Sequence, residues 1–296
     1  MKPALDIFDP SSYPTRRDED WKYSDLSRVL RDVPAGARQA VNDEVITVAA
    51  GQALTQFIHL TDSGVYNERL SFRLGEGAQL TRIVILDEPE DAVSIRQSTV
   101  RTAPGSIFKQ YVFSTGAKFQ RFETHVHHAG HGAHVELNGA YLLKDKRHFD
   151  LTTRVTHGEV NGTTAQLIKG LVKDSATAVF QGRILVERGA DGTDARMRHQ
   201  ALILNDGAHV RAKPELEIYA DDVQCAHGNT IGALDENAMF FAMSRGIPED
   251  AARAMLMHAF VLPVAEAIED EELRATVLNF LEKTSESFHL EPGHAV

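Results

Sequence analysis

Hydrophobic and polar residues alternate in short runs through most of the chain. From about Glu44 to Val223 these runs include LTRIVIL, SIFKQYVFS, AHVELNGAYLL and TAVFQGRILV. Glycine, asparagine and aspartate separate them, as at Gly77, Gly105 and Asn161. Alternation with a period of two between turn-forming residues predicts β-strands. Since no stretch of helical periodicity lies between these runs, the pattern predicts a long and mainly β region.

Many short strands at fairly even spacing fit three architectures, namely a β-sandwich, a barrel and a parallel β-helix. Periodicity alone does not choose among them. The runs keep similar lengths over a long and weakly repeating stretch, which favours the parallel β-helix. We therefore expect a β core over residues 41–230.

The two ends of the chain have a different pattern. Arg17–Leu30 carries acidic residues early and apolar residues at helical spacing, and Pro34 follows it. This pattern predicts one short helix within an N-terminal arm of residues 1–40.

A C-terminal helical domain is expected over residues 231–296. Asp235 can cap a first helix, Gly246 can end it, and Pro248 can begin a second one. The segment EELRATVLNFLEK predicts a third helix. Pro263 should kink or break the second helix, because proline removes a backbone hydrogen bond.

Composition excludes several classes of function. The chain has 296 residues, of which 43% are hydrophobic and 25% charged, so it can bury a sizeable core. A formal net charge of -11 disfavours nucleic acid as a partner. One cysteine allows no intrachain disulfide. The N-terminus has no signal-peptide pattern and the run AFVLPVAEAI is too short for a membrane span, so we expect a cytoplasmic protein.

The candidate chemistry centres on the only cysteine, Cys225, which is followed two positions later by His227. If this stretch is extended, the two side chains share one face. Thiolate and imidazole are soft metal ligands, but a tetrahedral site needs four ligands. This chain therefore offers half of a metal site. Considered alone, Cys225 is more often a small buried hydrophobe, and His227 has a competing role as a hydrogen-bonded histidine at a sheet edge.

A family resemblance lies in the same stretch. LEIYADDVQCAHGNTIGALDEN, followed by MFFAMSRGIPEDAARAMLMHAF, resembles the SufB/SufD proteins of iron–sulfur cluster assembly, and the C-x-H-G-x-T-x-G form is more similar to SufD. Weaker similarity extends through HFDLTTRVTH to RRDEDWKYSDL near the N-terminus. The resemblance implies a right-handed parallel β-helix with helical additions at both ends.

The resemblance also implies a role and partners. It implies a non-enzymatic scaffold subunit that pairs with SufB through the β-helix and binds the SufC ATPase through its C-terminal helices. In the family motif, the position of His227 is associated with the SufB–SufD interface and with cluster assembly, and Cys225 is the second candidate ligand. The isolated chain is expected to hold no cofactor and to lack catalytic residues. Iron or an iron–sulfur cluster would be bound only transiently in the complex.

The expected contacts with the ATPase lie at Phe240, Phe241, Arg245 and Gly246. Here the chain departs from the usual F-Y-L-x-S-R-G-I pattern, since Phe241 replaces a tyrosine and Ala242 a larger apolar residue. A homodimer is expected in isolation, because the last turn of a β-helix leaves backbone groups unpaired.

Other histidines have a simpler interpretation. The segment THVHHAGHGAHV predicts a solvated turn rather than a metal site. A second group of residues matches the family pattern, and the expected role of this group is to form hydrogen bonds in turns. These residues are His125, His127, His128, His131 and His134 in the first group, and His148, Asp150 and His157 in the second.

Two alternatives remain open. A carbohydrate-active β-helix enzyme would need acidic groups in one cleft, and the candidates are Asp150, Glu159, Asp174 and Glu187. A SufB-like primary cluster scaffold should carry more than one cysteine. Phosphate-loop, H-E-x-x-H, G-x-S-x-G and C-x-x-C motifs are absent from the sequence.

Overall fold

The computed structural model of the protein describes residues 5–34 and 36–288. The first four residues of the expected arm, Ala35 and the last eight residues of the expected helical end lie outside the described residues. Most of the described chain forms strands, which are β1 Arg38–Val48, β2 Ala53–Leu60, β3 Val65–Leu74, β4 Gln79–Leu86, β5 Val93–Arg101, β6 Ile107–Ser114, β7 Phe119–His128, β8 His134–Leu143, β9 His148–His157, β10 Thr163–Val172, β11 Thr177–Val186, β12 Thr193–Ile203, β13 His209–Ile218 and β14 Val223–Gly232.

The strands form two parallel sheets of seven strands each. One sheet holds the odd-numbered strands in the order β1-β3-β5-β7-β9-β11-β13, and the other holds the even-numbered strands from β14 back to β2. Each coil of the chain thus adds one strand to each sheet. Residues that face each other in neighbouring coils lie about 29 positions apart, as Arg121 and Asp150 do. The predicted parallel β-helix is confirmed as a two-sided β-solenoid of about seven coils.

The main core fills the space between the two sheets. Alternate residues of each strand point inward, as predicted from the period of two. Rows of identical inward positions stack from coil to coil, with Leu80, Phe108 and Val135 forming one row on the even-numbered sheet. All three are completely buried.

Turn residues stack in the same way at one edge of the solenoid. Gly77, Gly105, Gly132 and Asn161 adopt positive φ angles of 62°, 61°, 63° and 57°. The amide of Gly77 donates to Pro104 O at 2.9 Å, and Gly105 donates to His131 O at 3.0 Å in the next coil. The glycines that separate the apolar runs are therefore required by this left-handed backbone conformation.

The N-terminal arm crosses the outer face of the odd-numbered sheet. It contains short 3₁₀ turns at Pro10–Ser12 and Glu19–Trp21 and one helical turn, α1, at Leu26–Val29. The short helix predicted within Arg17–Leu30 is confirmed as α1, but it is limited to the end of that segment. Tertiary contacts take precedence over helical propensity here, because the Trp21 ring lies over the Arg121 guanidinium at 4.2 Å and Ser24 donates to the Asp150 carboxylate.

Three C-terminal helices follow the solenoid, and their predicted starts are confirmed. They are α2 Glu236–Ser244, α3 Glu249–Glu266 and α4 Glu271–Glu286. The Asp235 side chain caps α2 by accepting from Asn237 N at 2.9 Å, and Gly246 has a φ angle of 86° just beyond its end.

Helices α3 and α4 pack on the outer face of the even-numbered sheet. Their buried residues, including Met257, Val261 and Leu281, form a second core with Ile83 and Phe113 of that sheet. The predicted kink or break at Pro263 is wrong as to the break, since Pro263 lies inside the continuous helix α3, and the kink stays a prediction. The neighbouring Val261 and Val264 are completely buried, so packing offsets the lost hydrogen bond.

Candidate functional site

The last coil of the solenoid is open at its end. Within the described residues, β13 pairs only with β11, and β14 pairs only with β12. The free edges of β13 and β14 present backbone groups that another strand could pair with. Apolar side chains are also exposed around this end, at Ile218, Tyr219 and Ile231.

Cys225 and His227 both lie on β14, on the inward-facing row. Cys225 is in register with Ala195 and His227 with Met197, and both of these β12 residues are buried in the main core. The two side chains share one face, as the alternation of the strand predicts. Because no further coil covers them, the inward row of β14 reaches the surface, and His227 is exposed.

The environments of the two candidate ligands differ. Cys225 is half-buried and packs against the main core, and burial raises the pKa of its thiol. A thiolate is the form that binds a metal, so the free chain holds Cys225 in its protonated form near neutral pH. The Cα atoms of Cys225 and His227 lie roughly 7 Å apart, as expected for residues two positions apart on a strand.

These two ligands do not complete a metal site on this chain. In the part of the chain that the structure describes, no three histidine, cysteine, aspartate or glutamate side chains come together as metal ligands. Thiol and imidazole at an open strand edge can instead contribute to a site whose other ligands come from a second protein.

Asn229 continues the same inward row and was not singled out from the sequence. Its carboxamide oxygen lies 2.7 Å from His199 Nδ1, and His199 Nε2 lies 2.8 Å from the Tyr141 hydroxyl. The period of two alone would have placed Asn229 beside His227. Its contact with His199 depends on the register between β12 and β14, which the sequence does not state.

The four expected partner-binding residues lie together at the end of α2 and in the turn that follows it. Phe240 and Phe241 are 74% and 58% exposed. The guanidinium of Arg245 stacks on the Phe241 ring at 3.6 Å, and Gly246 makes the turn. An exposed pair of aromatic rings beside a stacked arginine is typical of protein-binding surfaces.

The histidine-rich segment is only partly a solvated turn, so that prediction is wrong for several residues. His125, His127 and His128 belong to β7, whereas His131 lies in the turn and His134 begins β8. His128 is buried and stacks on His157 at 4.0 Å between ring centroids.

The second group, His148, Asp150 and His157, lies within β9 and not in turns. Asp150 pairs with Arg121 at 2.5 Å beneath the N-terminal arm, and His148 stacks on Phe119. Burial lowers the pKa of both His148 and His157. The predicted turn hydrogen bonds are therefore wrong, and these residues instead make an ion pair and ring-stacking contacts within the sheet.

The acidic residues of a carbohydrate-active enzyme do not share a cleft. Asp150 is completely buried in its ion pair. Asp174 precedes β11 and Glu187 follows it, so this strand of ten residues separates them by roughly 30 Å. Glu159, which follows β9, lies at the same edge as Glu187.

None of the helices that the structure describes combines the length and hydropathy that a membrane crossing requires. The cytoplasmic location stays a prediction.

Comparisons with known proteins agree on one family. Residues 33–260 match the model described as "SUF system FeS cluster assembly, SufBD core domain". The chain is 30% identical over 231 residues to the iron–sulfur cluster assembly protein SufD of Escherichia coli, covering 78% of this chain and 55% of that protein. It is 31% identical over 227 residues to the chloroplastic protein ABCI7 of Arabidopsis thaliana, covering 76% of this chain and 48% of that protein.

A SufBD family protein of Synechocystis, slr0076, is 31% identical over 195 residues, which is 66% of this chain and 43% of that protein. The chain therefore spans about half the length of the curated relatives it matches.

Proposed function

Because the chain belongs to the SufBD core-domain family of the SUF iron–sulfur cluster assembly system, we propose that it is a SufD-like scaffold subunit without catalytic activity of its own. One observation carries this proposal. The open edge strand β14 presents Cys225 and His227 on a row that ends at solvent, where a second protein can complete a metal site.

The proposed partner at this edge is a SufB-like protein. Pairing between two strand edges would satisfy the free backbone groups of β13 and β14 and cover the exposed Tyr219 and Ile231. The iron or iron–sulfur cluster is the cargo of the assembly, and His227 and Cys225 would bind it transiently at the joint. A homodimer through the same edge is the proposed state of the isolated chain.

The proposed partner at α2 is a SufC-like ATPase. Phe240, Phe241 and Arg245 supply an apolar and cationic contact that faces away from the solenoid core. Helix α3 packs on the outer face of the even-numbered sheet, and α3 follows α2 directly. Movement of the ATPase could thus be passed to the solenoid through these helices.

The proposal is tested by co-expressing the chain with SufB-like and SufC-like proteins of the same organism and isolating the complex through a tag on this chain. We expect both partners to co-purify and the complex to assemble a cluster from ferrous iron and sulfide. Failure to capture either partner at micromolar concentrations would contradict the proposal.

Replacing His227 with alanine should leave stability within about 0.5 kcal/mol, because the imidazole is exposed. Cluster formation in the complex should fall roughly 10-fold or more, as for loss of a group that supports a metal site. Urea denaturation and iron–sulfur absorbance measure the two effects. His131→Ala, at an exposed turn histidine, is the matched control and should change neither. A large loss of stability in His227→Ala would instead assign this residue a structural role.

The double change Phe240→Ala and Phe241→Ala should weaken ATPase binding by about 2 kcal/mol or more, since central aromatic residues dominate such interfaces. Arg245→Glu should act in the same direction. Affinity measured by calorimetry should stay unchanged in Val160→Ala, which removes a 38% exposed apolar side chain from a solenoid turn. Deleting the helices is a poorer test, because it would expose the apolar outer face of the even-numbered sheet.

A further inference from the structure

Three side chains linked by hydrogen bonds connect the main core to the open edge strand. Tyr141 lies on β8, His199 on β12 and Asn229 on β14. The His199 ring stacks on Phe180 at 4.9 Å with an interplanar angle of 6°, so its orientation is fixed by packing. Tyr141 and His199 are buried, whereas Asn229 is exposed at the end of the solenoid.

The direction of each hydrogen bond follows from the donors and acceptors available. Among the described residues, His199 Nε2 is the only hydrogen-bond partner of the buried Tyr141 hydroxyl, at 2.8 Å. A buried hydroxyl hydrogen without an acceptor is costly, so Tyr141 donates and His199 Nε2 accepts. Burial lowers the pKa of His199 to about 4, so the ring is neutral and its proton is on Nδ1.

This tautomer fixes the carboxamide of Asn229. His199 Nδ1–H donates to Asn229 Oδ1 at 2.7 Å, and the oxygen of the amide therefore faces the core. The NH₂ group is on the other branch of the planar amide and is directed away from His199. It supplies two N–H donors on the inward row of β14, one row position beyond His227.

We propose that Asn229 is a third binding residue of the edge-strand site, whose N–H groups donate to the sulfur of a ligand bound at His227 and Cys225. This inference rests on the proposed function. The ligand class is a metal-bound sulfide or thiolate, because sulfur carrying negative charge is the acceptor that a cluster presents. His199 and Tyr141 act as positioning residues that prevent the amide from rotating to present its oxygen.

Hydrogen bonds to sulfur stabilise the more negative, reduced state of a cluster and raise its reduction potential. Loss of the donors from Asn229 should therefore lower the potential of the bound cluster. A residue that only supports the fold would not change this potential.

The first test concerns the free chain and does not depend on any partner. Two-bond proton–nitrogen correlation spectra of protein labelled with ¹⁵N-histidine identify the protonated nitrogen of His199, which is assigned from the His199→Gln variant. We expect the proton on Nδ1. A proton on Nε2 would turn the Asn229 oxygen toward the site and overturn the inference.

The second test uses the complex with the SufB-like and SufC-like proteins, loaded with ferrous iron and sulfide. Asn229→Asp keeps the oxygen that accepts from His199 and removes both donors, and Asn229→Ala removes the whole group. Both variants should form cluster roughly 10-fold less well, and any cluster that forms should have a lower reduction potential. The matched control is Thr230→Val, on the outward-facing row of the same strand, which should match the unaltered chain.

The outcomes distinguish failure of the Asn229 inference from failure of the proposed function. If His227→Ala impairs cluster formation but both Asn229 variants behave like the Thr230 control, the Asn229 inference is wrong and the proposed function stands. If His227→Ala also has no effect, both are wrong. Melting temperatures of all variants show whether any loss of cluster reflects unfolding.

Discussion

Replacing Asp150 with alanine is expected to destabilise the fold by roughly 3–5 kcal/mol, because it removes the completely buried one of the two carboxylates that pair with a buried arginine. Arg121 has a completely buried side chain, and its Nη1 lies 2.5 Å from Asp150 Oδ2. Glu123 binds the other side of the guanidinium at 2.9 Å, and the Trp21 ring covers it. The loss should appear in urea denaturation as a lower midpoint with an unchanged slope.

The control for Asp150→Ala is Asp20→Ala, which breaks a partly exposed pair between Asp20 and Arg154. Exposed ion pairs contribute about 1 kcal/mol or less, so this variant should remain close to the unaltered chain. A double change of Arg121→Met and Asp150→Leu should recover much of the loss by removing both charges. Equal losses in Asp150→Ala and Asp20→Ala would contradict this account.

Acid is expected to destabilise the protein well before its carboxylates are protonated. Burial lowers the pKa of His128 to about 2 and of His157 and His199 to about 4. His128 and His157 stack on one another and both contact the Thr164 hydroxyl, and their Nδ1 atoms have no partner among the described residues. In the part of the chain that the structure describes, a positive charge on either ring would have no acidic group in contact with it.

The direction in which stability changes with pH follows from the folded pKa values, which lie below the unfolded value of about 6.5. Below pH 6.5 the unfolded chain binds protons that the folded chain does not, so stability falls as pH decreases toward 4. Each histidine should cost roughly 2 kcal/mol between pH 7.5 and pH 5.

Urea midpoints measured from pH 7.5 to pH 5 test the acid effect. His199→Gln should flatten the pH dependence, although the variant loses some stability at pH 7.5 as well. His131→Gln, at an exposed position, should leave the dependence unchanged. A midpoint that stays constant over this range would contradict the predicted loss of stability.

The strands and turns of the β-solenoid could be predicted because their signals are local, whereas the choice of a solenoid rested on the weak repeat and on the family resemblance. Strand alternation and turn glycines such as Gly77 and Gly105 follow from backbone geometry within a few residues. The pairing of Cys225 with His227 on one face has the same origin, since it needs only the period of a strand. The family assignment is confirmed by the match over residues 33–260.

Contacts between coils could not be predicted, because they depend on the register of strands far apart in sequence. Arg121 meets Asp150, and His128 meets His157, only because β7 and β9 are neighbours in a given register. The short extent of the helix in the N-terminal arm could not be predicted for a related reason. Trp21 and Ser24 are held by residues of the odd-numbered sheet, and no local pattern records those contacts.

A solenoid of this kind can change its length only by whole coils without disturbing its strand register. Adding or losing one whole coil would move the N-terminal arm by one strand spacing, about 4.8 Å, along the axis of the molecule. The chemistry of the last coil would remain intact, because β14, which carries Cys225 and His227, pairs only with β12 among the described strands. A single inserted residue within β14 would instead exchange the inward and outward rows beyond it and place His227 or Asn229 on the wrong side. Natural variants should therefore tolerate insertions of about 29 residues between coils more readily than insertions of one residue in this strand.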